Sequence, residues 1–207
     1  MNPALKRNLF IMRKNYFFNA LFMIFSIPLW TVTSNPVGSL NLTVPLMTYT
    51  SIYIIEQYED LYKYDCMLNS LPVTRDEVVN AKFTSIIVIY LINTILTLIT
   101  HLIYSFIGVT EFMSGQMFMM GLSLSFLLSM IFAAVGTVLI FKFGYTKTRL
   151  FGIFLMMLIM STISIPLYIL QKSNLVQFSS AVFLVLGTAA FIISKHFALK
   201  IYAEKEF

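Results

Sequence analysis

The sequence predicts an all-α, polytopic membrane protein with six transmembrane helices, an N-terminal interfacial amphipathic helix and a cytoplasmic hairpin between helices two and three. Three observations carry that expectation. First, 58% of the 207 residues are hydrophobic and only 11% are charged, whereas soluble domains run at roughly 45–50% apolar and about 25% charged. So few charges cannot cover the surface of a water-soluble globule, and the mean hydropathy of +0.84 agrees. Second, the apolar residues fall into six long stretches, Phe17–Thr33, Ser39–Ile55, Phe83–Ile107, Met117–Phe141, Leu150–Leu170 and Gln177–Ser194. These are continuous rather than alternating, which excludes a transmembrane β-barrel. Third, thirteen of the 14 lysines and arginines fall on one side of that six-span plan. By the positive-inside rule that side is cytoplasmic, so the net charge of +5 is a topology signal and nucleic acid is not an expected partner.

The elements follow in order. Met1 to Tyr16 carries Lys6, Arg7, Arg13 and Lys14, and the apolar run after it ends without a small-residue cleavage pattern. It reads as a cytoplasmic approach to the first span and not as a cleavable signal peptide. Within Asn8–Phe18, Phe10, Arg13, Lys14 and Tyr16 belong to an imperfect amphipathic pattern. Such a segment lies along the cytoplasmic interface, held by anionic lipid, or is simply the positive flank of the first span. The second span is the weakest, holding Asn41, Thr43, Pro45, Thr48, Thr50 and Ser51, yet no charge interrupts it before Glu56.

The connection from Glu56 to Lys82 is the most informative. Thr74 and Glu77 have the spacing of a capping box, and Val73 and Val78 are placed as a hydrophobic staple. Asp76 and Glu77 fall in the first turn, where the helix dipole favours negative charge. A helix is therefore expected to start near Arg75 and run unbroken into the third span. From Arg75 to Ile107 it would measure about 50 Å at 1.5 Å per residue, against a hydrocarbon core of ~30 Å. Its first two turns or so should project into the cytoplasm. Glu56–Met67 should extend the second span likewise, with Glu59, Asp60, Lys63 and Asp65 on solvated turns, and Asn69, Ser70 and Pro72 marking the break.

In the third span, Asn93 is expected to bond a neighbouring helix or line a pathway, and His101 to make a satisfied polar contact or line that pathway. The fourth span repeats small residues, Gly115, Gly121, Ser125, Ser129, Ala133, Ala134 and Gly136, at spacings that admit a second backbone, either internal or from a second chain. Methionines at 113, 117, 119, 120, 130, 156, 157 and 160 pack against core or lipid, or form an adaptable apolar lining. Pro166 and Ser161–Ser164 can kink the fifth span. The sixth leads to a tail with Lys195, Lys200 and Lys205. The whole of 1–207 is thus one transmembrane domain with both termini cytoplasmic. Six spans of ~20 residues leave about 87 residues outside the bilayer, too few for a sizeable soluble domain.

Catalytic chemistry finds no footing. There is no Gly-Lys-Ser/Thr phosphate loop, so no ATP site is expected on this chain. No His/Glu cluster has zinc spacing, the single Cys66 excludes an intrachain disulfide, and no serine sits beside a His–carboxylate pair. Ionisable residues at the bilayer midplane, the usual mark of an ion-coupled carrier, are missing. The chain is not expected to be an enzyme and carries no cofactor or metal of its own.

The stretch Tyr64–Phe83, with Asn69-Ser70-Leu71-Pro72-Val73-Thr74-Arg75 followed by Val78-Val79 and Ala81-Lys82-Phe83, resembles the signature of small bacterial permease subunits of ABC exporters, the type-2 class. The resemblance implies that Asn69 to Glu77, including Asp76, form a coupling helix that docks on a separate ATP-binding cassette subunit, where ATP and its magnesium are bound. It implies a second permease, identical or homologous, and a multi-pass place in a bacterial plasma membrane. The Met- and Phe-rich composition is similar to staphylococcal permeases that export amphipathic phenol-soluble modulin peptides, so the implied cargo is an amphipathic peptide or lipid-like molecule. One departure is that Gln171–Val176 is brief where larger relatives place a long re-entrant element. The alternative class is a non-transporting assembly or sensor protein whose hairpin binds a soluble partner.

Overall fold

Thr74 sets the frame of the molecule. Its hydroxyl accepts from the Glu77 amide at 3.3 Å and its own amide donates to the Glu77 carboxylate at 2.9 Å, a closed capping box as the spacing predicts. From it helix α2 (Arg75–Phe106) runs 32 residues, about 48 Å. The computed structural model describes residues 5–11, 13, 17, 21, 24, 36–62, 74–108, 114–148, 152, 154 and 176–204. Residues 5–11 are helical. The other long elements are α1 (Pro36–Leu61), α3 (Gly115–Met130), a π-helical turn at Ile131–Val135, α4 (Gly136–Phe143) and α5 (Val176–Ala203). Ser114 caps α3, and Gly144, with φ of +81°, ends α4 in a conformation that suits a residue without Cβ.

These helices cover the second, third, fourth and sixth apolar stretches of the sequence. The first and fifth, Phe17–Thr33 and Leu150–Leu170, fall almost wholly outside the described residues. Among the described residues, three helical stretches are long and apolar enough to cross a bilayer: Arg75–Phe106, Gly115–Phe143 and Ser180–Ala203. Helix α1 is not one of them, in keeping with the polar residues that weaken the second stretch.

In its second half the distribution of side chains on α2 is inverted relative to a soluble helix. Asn93, Thr94, Thr97, His101 and Ser105 are buried, whereas Ile87, Leu91, Ile95, Ile99 and Leu102 are exposed. Polar groups facing protein and aliphatic groups facing outward is the arrangement that lipid as solvent favours. Helix α5 likewise exposes Leu184, Val185, Ile192, Ile193 and Phe197.

Helix α3 packs on α1 and α5, and α2 packs on α1 and α5. A core of Leu40, Val44, Ile55, Val79, Phe83 and Ile89 continues into Met130, Ala133 and Ala134. Of the small residues of the fourth stretch, Gly121, Ser125, Ser129, Ala133, Ala134 and Gly136 are buried inside the bundle, whereas Gly115 is exposed. A Cβ added at Gly136 would lie 3.6 Å from the Tyr53 ring and 3.8 Å from that of Tyr49. A tighter helix contact is made at a different glycine: a Cβ at Gly187 of α5 would come 2.8 Å from the Phe126 ring and 3.1 Å from the Leu127 Cα. Among the methionines, Met120 and Met130 are buried while Met117 and Met119 are exposed; Met113, Met156, Met157 and Met160 lie outside the described residues.

Candidate functional site: a buried charge cluster at the hairpin end

Helices α1 and α2 run antiparallel, so the end of one lies beside the start of the other. Glu56 and Glu59 are three residues apart and share a face of α1. Opposite them, two turns into α2, stands Lys82. Its Nζ lies 2.8 and 2.7 Å from the two Glu56 carboxylate oxygens and 2.7 Å from Glu59 Oε2. The Glu59 carboxylate also accepts from the Arg7 guanidinium, which donates to Asn8 Oδ1 at 2.9 Å. Asn8 Nδ2 in turn donates to Ser85 Oγ at 3.0 Å. Glu56, Glu59 and Lys82 are each less than a tenth exposed.

The cluster reaches further. The Lys82 ammonium stands 4.7 Å above the Phe141 ring of α4, a cation–π contact, and Phe141 packs on Tyr202 of α5 with ring centroids 5.0 Å apart. Arg75 Nη1 donates to the Ala203 carbonyl at 2.6 Å. One end of the bundle is therefore tied together, from the N-terminal segment through α1 and α2 to α4 and α5. Two carboxylates face two cations, so the group is formally neutral. Burial of ions is costly, and only such close, multiply bonded geometry offsets it. Among the described residues the arrangement offers no nucleophile–base pair; it holds helices in register.

This corrects the expectation that Glu59 lies on a solvated turn. Asp60, next to it, is exposed as expected. Both acids follow the apolar run, but only the face holding Glu56 and Glu59 turns toward Lys82 and Arg7. The cluster as a whole escapes sequence reasoning, although the i, i+3 acid pair opposite a lysine inside an apolar run was a usable signal.

The predicted coupling residues Thr74, Arg75, Asp76 and Glu77 are exposed at the start of α2; Asn69, Ser70, Leu71, Pro72 and Val73 lie outside the described residues. Of the predicted interfacial set, Phe10 and Arg13 are exposed, and Lys14 and Tyr16 lie outside. Asn93 is buried and its Nδ2 donates to Thr48 Oγ1 at 3.4 Å, the interhelical bond expected of it. His101 is buried, but neither ring nitrogen has a hydrogen-bond partner among the described residues, so the satisfied contact expected there is not found. No group of His, Cys, Asp and Glu able to hold a metal occurs among the described residues.

A family model described as ABC-2 family transporter protein matches residues 5–203. No curated protein and no solved structure matches the chain.

Proposed function

The chain belongs to the ABC-2 family of transporter proteins, the membrane permease components of ABC transporters that work with an ATP-binding subunit, and from that premise we propose that it serves an ATP-driven exporter of amphipathic cargo. Cargo of this class comprises peptides such as phenol-soluble modulins, antimicrobial peptides and lipid-like molecules. The hairpin end faces the cytoplasm of a bacterial cell, where thirteen of the 14 cations lie in the six-span plan. A second permease, identical or homologous, completes the pathway. ATP and magnesium sit on the ATP-binding subunit.

The observation that carries this reading is the grip of Glu56 and Glu59 on Lys82, two turns behind the exposed tip of α2. In the proposed cycle the ATP-binding subunit docks on Asn69 to Glu77 and closes when it binds ATP. The push arrives at Thr74–Glu77, at the capped end of a long rigid helix. Because separating buried opposite charges is expensive, α1 and α2 move together and do not slide past each other. Arg7 passes the same displacement to the N-terminal helix, whose Phe10, Arg13, Lys14 and Tyr16 rest on the inner leaflet. The spans then tilt, and a pathway lined in part by Asn93 and His101 changes the side to which it opens.

Charge reversal at the tip, Arg75→Glu with Asp76→Lys, is the test. The expected result is that the ATP-binding subunit no longer co-purifies, or hydrolyses ATP without export. Unchanged export with unchanged co-purification removes the tip as the docking element.

A further inference from the structure

The fourth apolar stretch is a continuous helix with one irregular turn. Between α3 and α4 the ladder at Ile131–Val135 is π-helical, so its amides reach back five residues instead of four and the turn holds one residue more than an α-helix would. After it, α4 is only eight residues long and ends at Gly144, whose φ is +81°. No described atom beyond its chain neighbours lies within 4 Å of where a Gly144 Cβ would stand. The chain past that joint is held from α1, where the Tyr53 hydroxyl donates to the Thr148 carbonyl at 3.3 Å. Helix α4 is therefore a short segment between two irregular backbone points.

Neighbouring faces of α4 touch different parts of the molecule. Ile140 lies in a cluster with Tyr49, Tyr53 and Phe132. Phe141 lies in the other cluster, under the Lys82 ammonium and against the Tyr202 ring. If the extra residue passed from the π-turn to the Gly144 joint, Ile131–Val135 would become α-helical and α4 would turn by one residue, about 100°. Each place on α4 would then be filled by the preceding residue. Ile140 would stand where Phe141 stands and Leu139 where Ile140 stands, so apolar side chains still fill the interior. The exposed places of Lys142 and Phe143 would go to Phe141 and Lys142, and no charge would be buried. Val135 would enter the place of Gly136, where a Cβ stands at ordinary contact distance, 3.6 Å from the Tyr53 ring and 3.8 Å from that of Tyr49.

The sequence of α4 thus suits two registers, and the π-turn is where one converts to the other. We propose that this turn is a register switch. In the observed register Phe141 joins Lys82 to Tyr202; in the shifted one Ile140 takes its place and the cation–π contact is broken. Single π-turns inside α-helices are frequent at functional sites, and register shifts of packed helices are motions of microseconds to milliseconds. What the switch sets is the tie between the buried charge cluster and the ends of α4 and α5, because Phe141 touches both sides. It is a property of this chain and stands apart from the permease reading.

The test uses the full chain in lipid nanodiscs, with Cys66→Ser and one of two cysteine pairs, treated with the shortest bifunctional methanethiosulfonate. Phe141→Cys with Tyr202→Cys reports the observed register, and Ile140→Cys with Tyr202→Cys the shifted one. Both pairs are expected to cross-link, the second at roughly a tenth of the rate of the first or less, as for a minor state. Deleting Ala134 removes the extra residue, which makes the turn α-helical and leaves Phe141 facing Tyr202. The first pair should then react as before and the second should stop. Val135→Phe serves if the shortened chain fails to assemble. Val135 is 36% exposed in the observed register, so a ring is accommodated there, whereas the shift would drive it against Tyr49 and Tyr53. This variant should slow the second pair alone by about tenfold, the effect of an overpacked interior. A second pair that never reacts in the parent chain overturns the switch. So does one that reacts equally in the parent and the variants, or a variant that silences both pairs while its thermal midpoint matches that of the parent.

Discussion

Lys82 shows how much one residue can organise. It meets both Glu56 and Glu59, and Glu59 has a second partner in Arg7. Lys82→Met should leave two buried carboxylates facing one guanidinium and cost about 3–5 kcal/mol, as breaking a buried pair does. Adding Glu56→Leu restores a one-to-one balance of Glu59 with Arg7, so the double variant should recover most of that loss in denaturant or thermal unfolding. Strictly additive losses would mean that the charges act independently. What was legible at this scale was what is local. Thr74 and Glu77 declare the helix start because cap and carboxylate are three residues apart. Glu59 could not be placed from its surroundings in sequence, because Arg7 is 52 residues away and Lys82 lies on another helix.

At the scale of elements, the start and continuity of α2 could be read from its cap and its apolar length. The partners of the fourth stretch could not. Its small residues announced a close approach without saying to what, and the answer lies in the rings of Tyr49 and Tyr53 against Gly136. Gly187 carried no signal at all, being one glycine in an apolar run, yet α5 meets α3 there. Gly187→Val should force its Cβ against the Phe126 ring and the Leu127 backbone. A loss of about 1–3 kcal/mol is expected, as for overpacked interiors, seen as a lower thermal midpoint. A midpoint equal to that of the parent chain would mean that α5 does not pack so closely. The π-helical turn at Ile131–Val135 was also invisible beforehand, since it is a property of the hydrogen-bond ladder and not of any residue type.

At the scale of the whole molecule, composition announced a bilayer protein, and the inverted burial of α2 gives the physical form of that statement. The direction of insertion rests on charge asymmetry. It is open to labelling: with Cys66→Ser, a cysteine at Ser114 should react with a membrane-impermeant thiol reagent in intact cells, and one at Asp76 only after the membrane is opened. The opposite pattern would invert the topology. The charge cluster that joins five segments of the chain was not legible in the sequence, although the capped start of α2 beside it was. Permeases of the ABC-2 family work with an ATP-binding subunit. The most direct test reconstitutes this protein with its ATP-binding subunit and companion permease in vesicles and follows an amphipathic peptide across the membrane. Transport that requires hydrolysable ATP and ignores an imposed proton gradient is the expected result, and transport by this chain without the ATP-binding subunit, following the gradient, would contradict it.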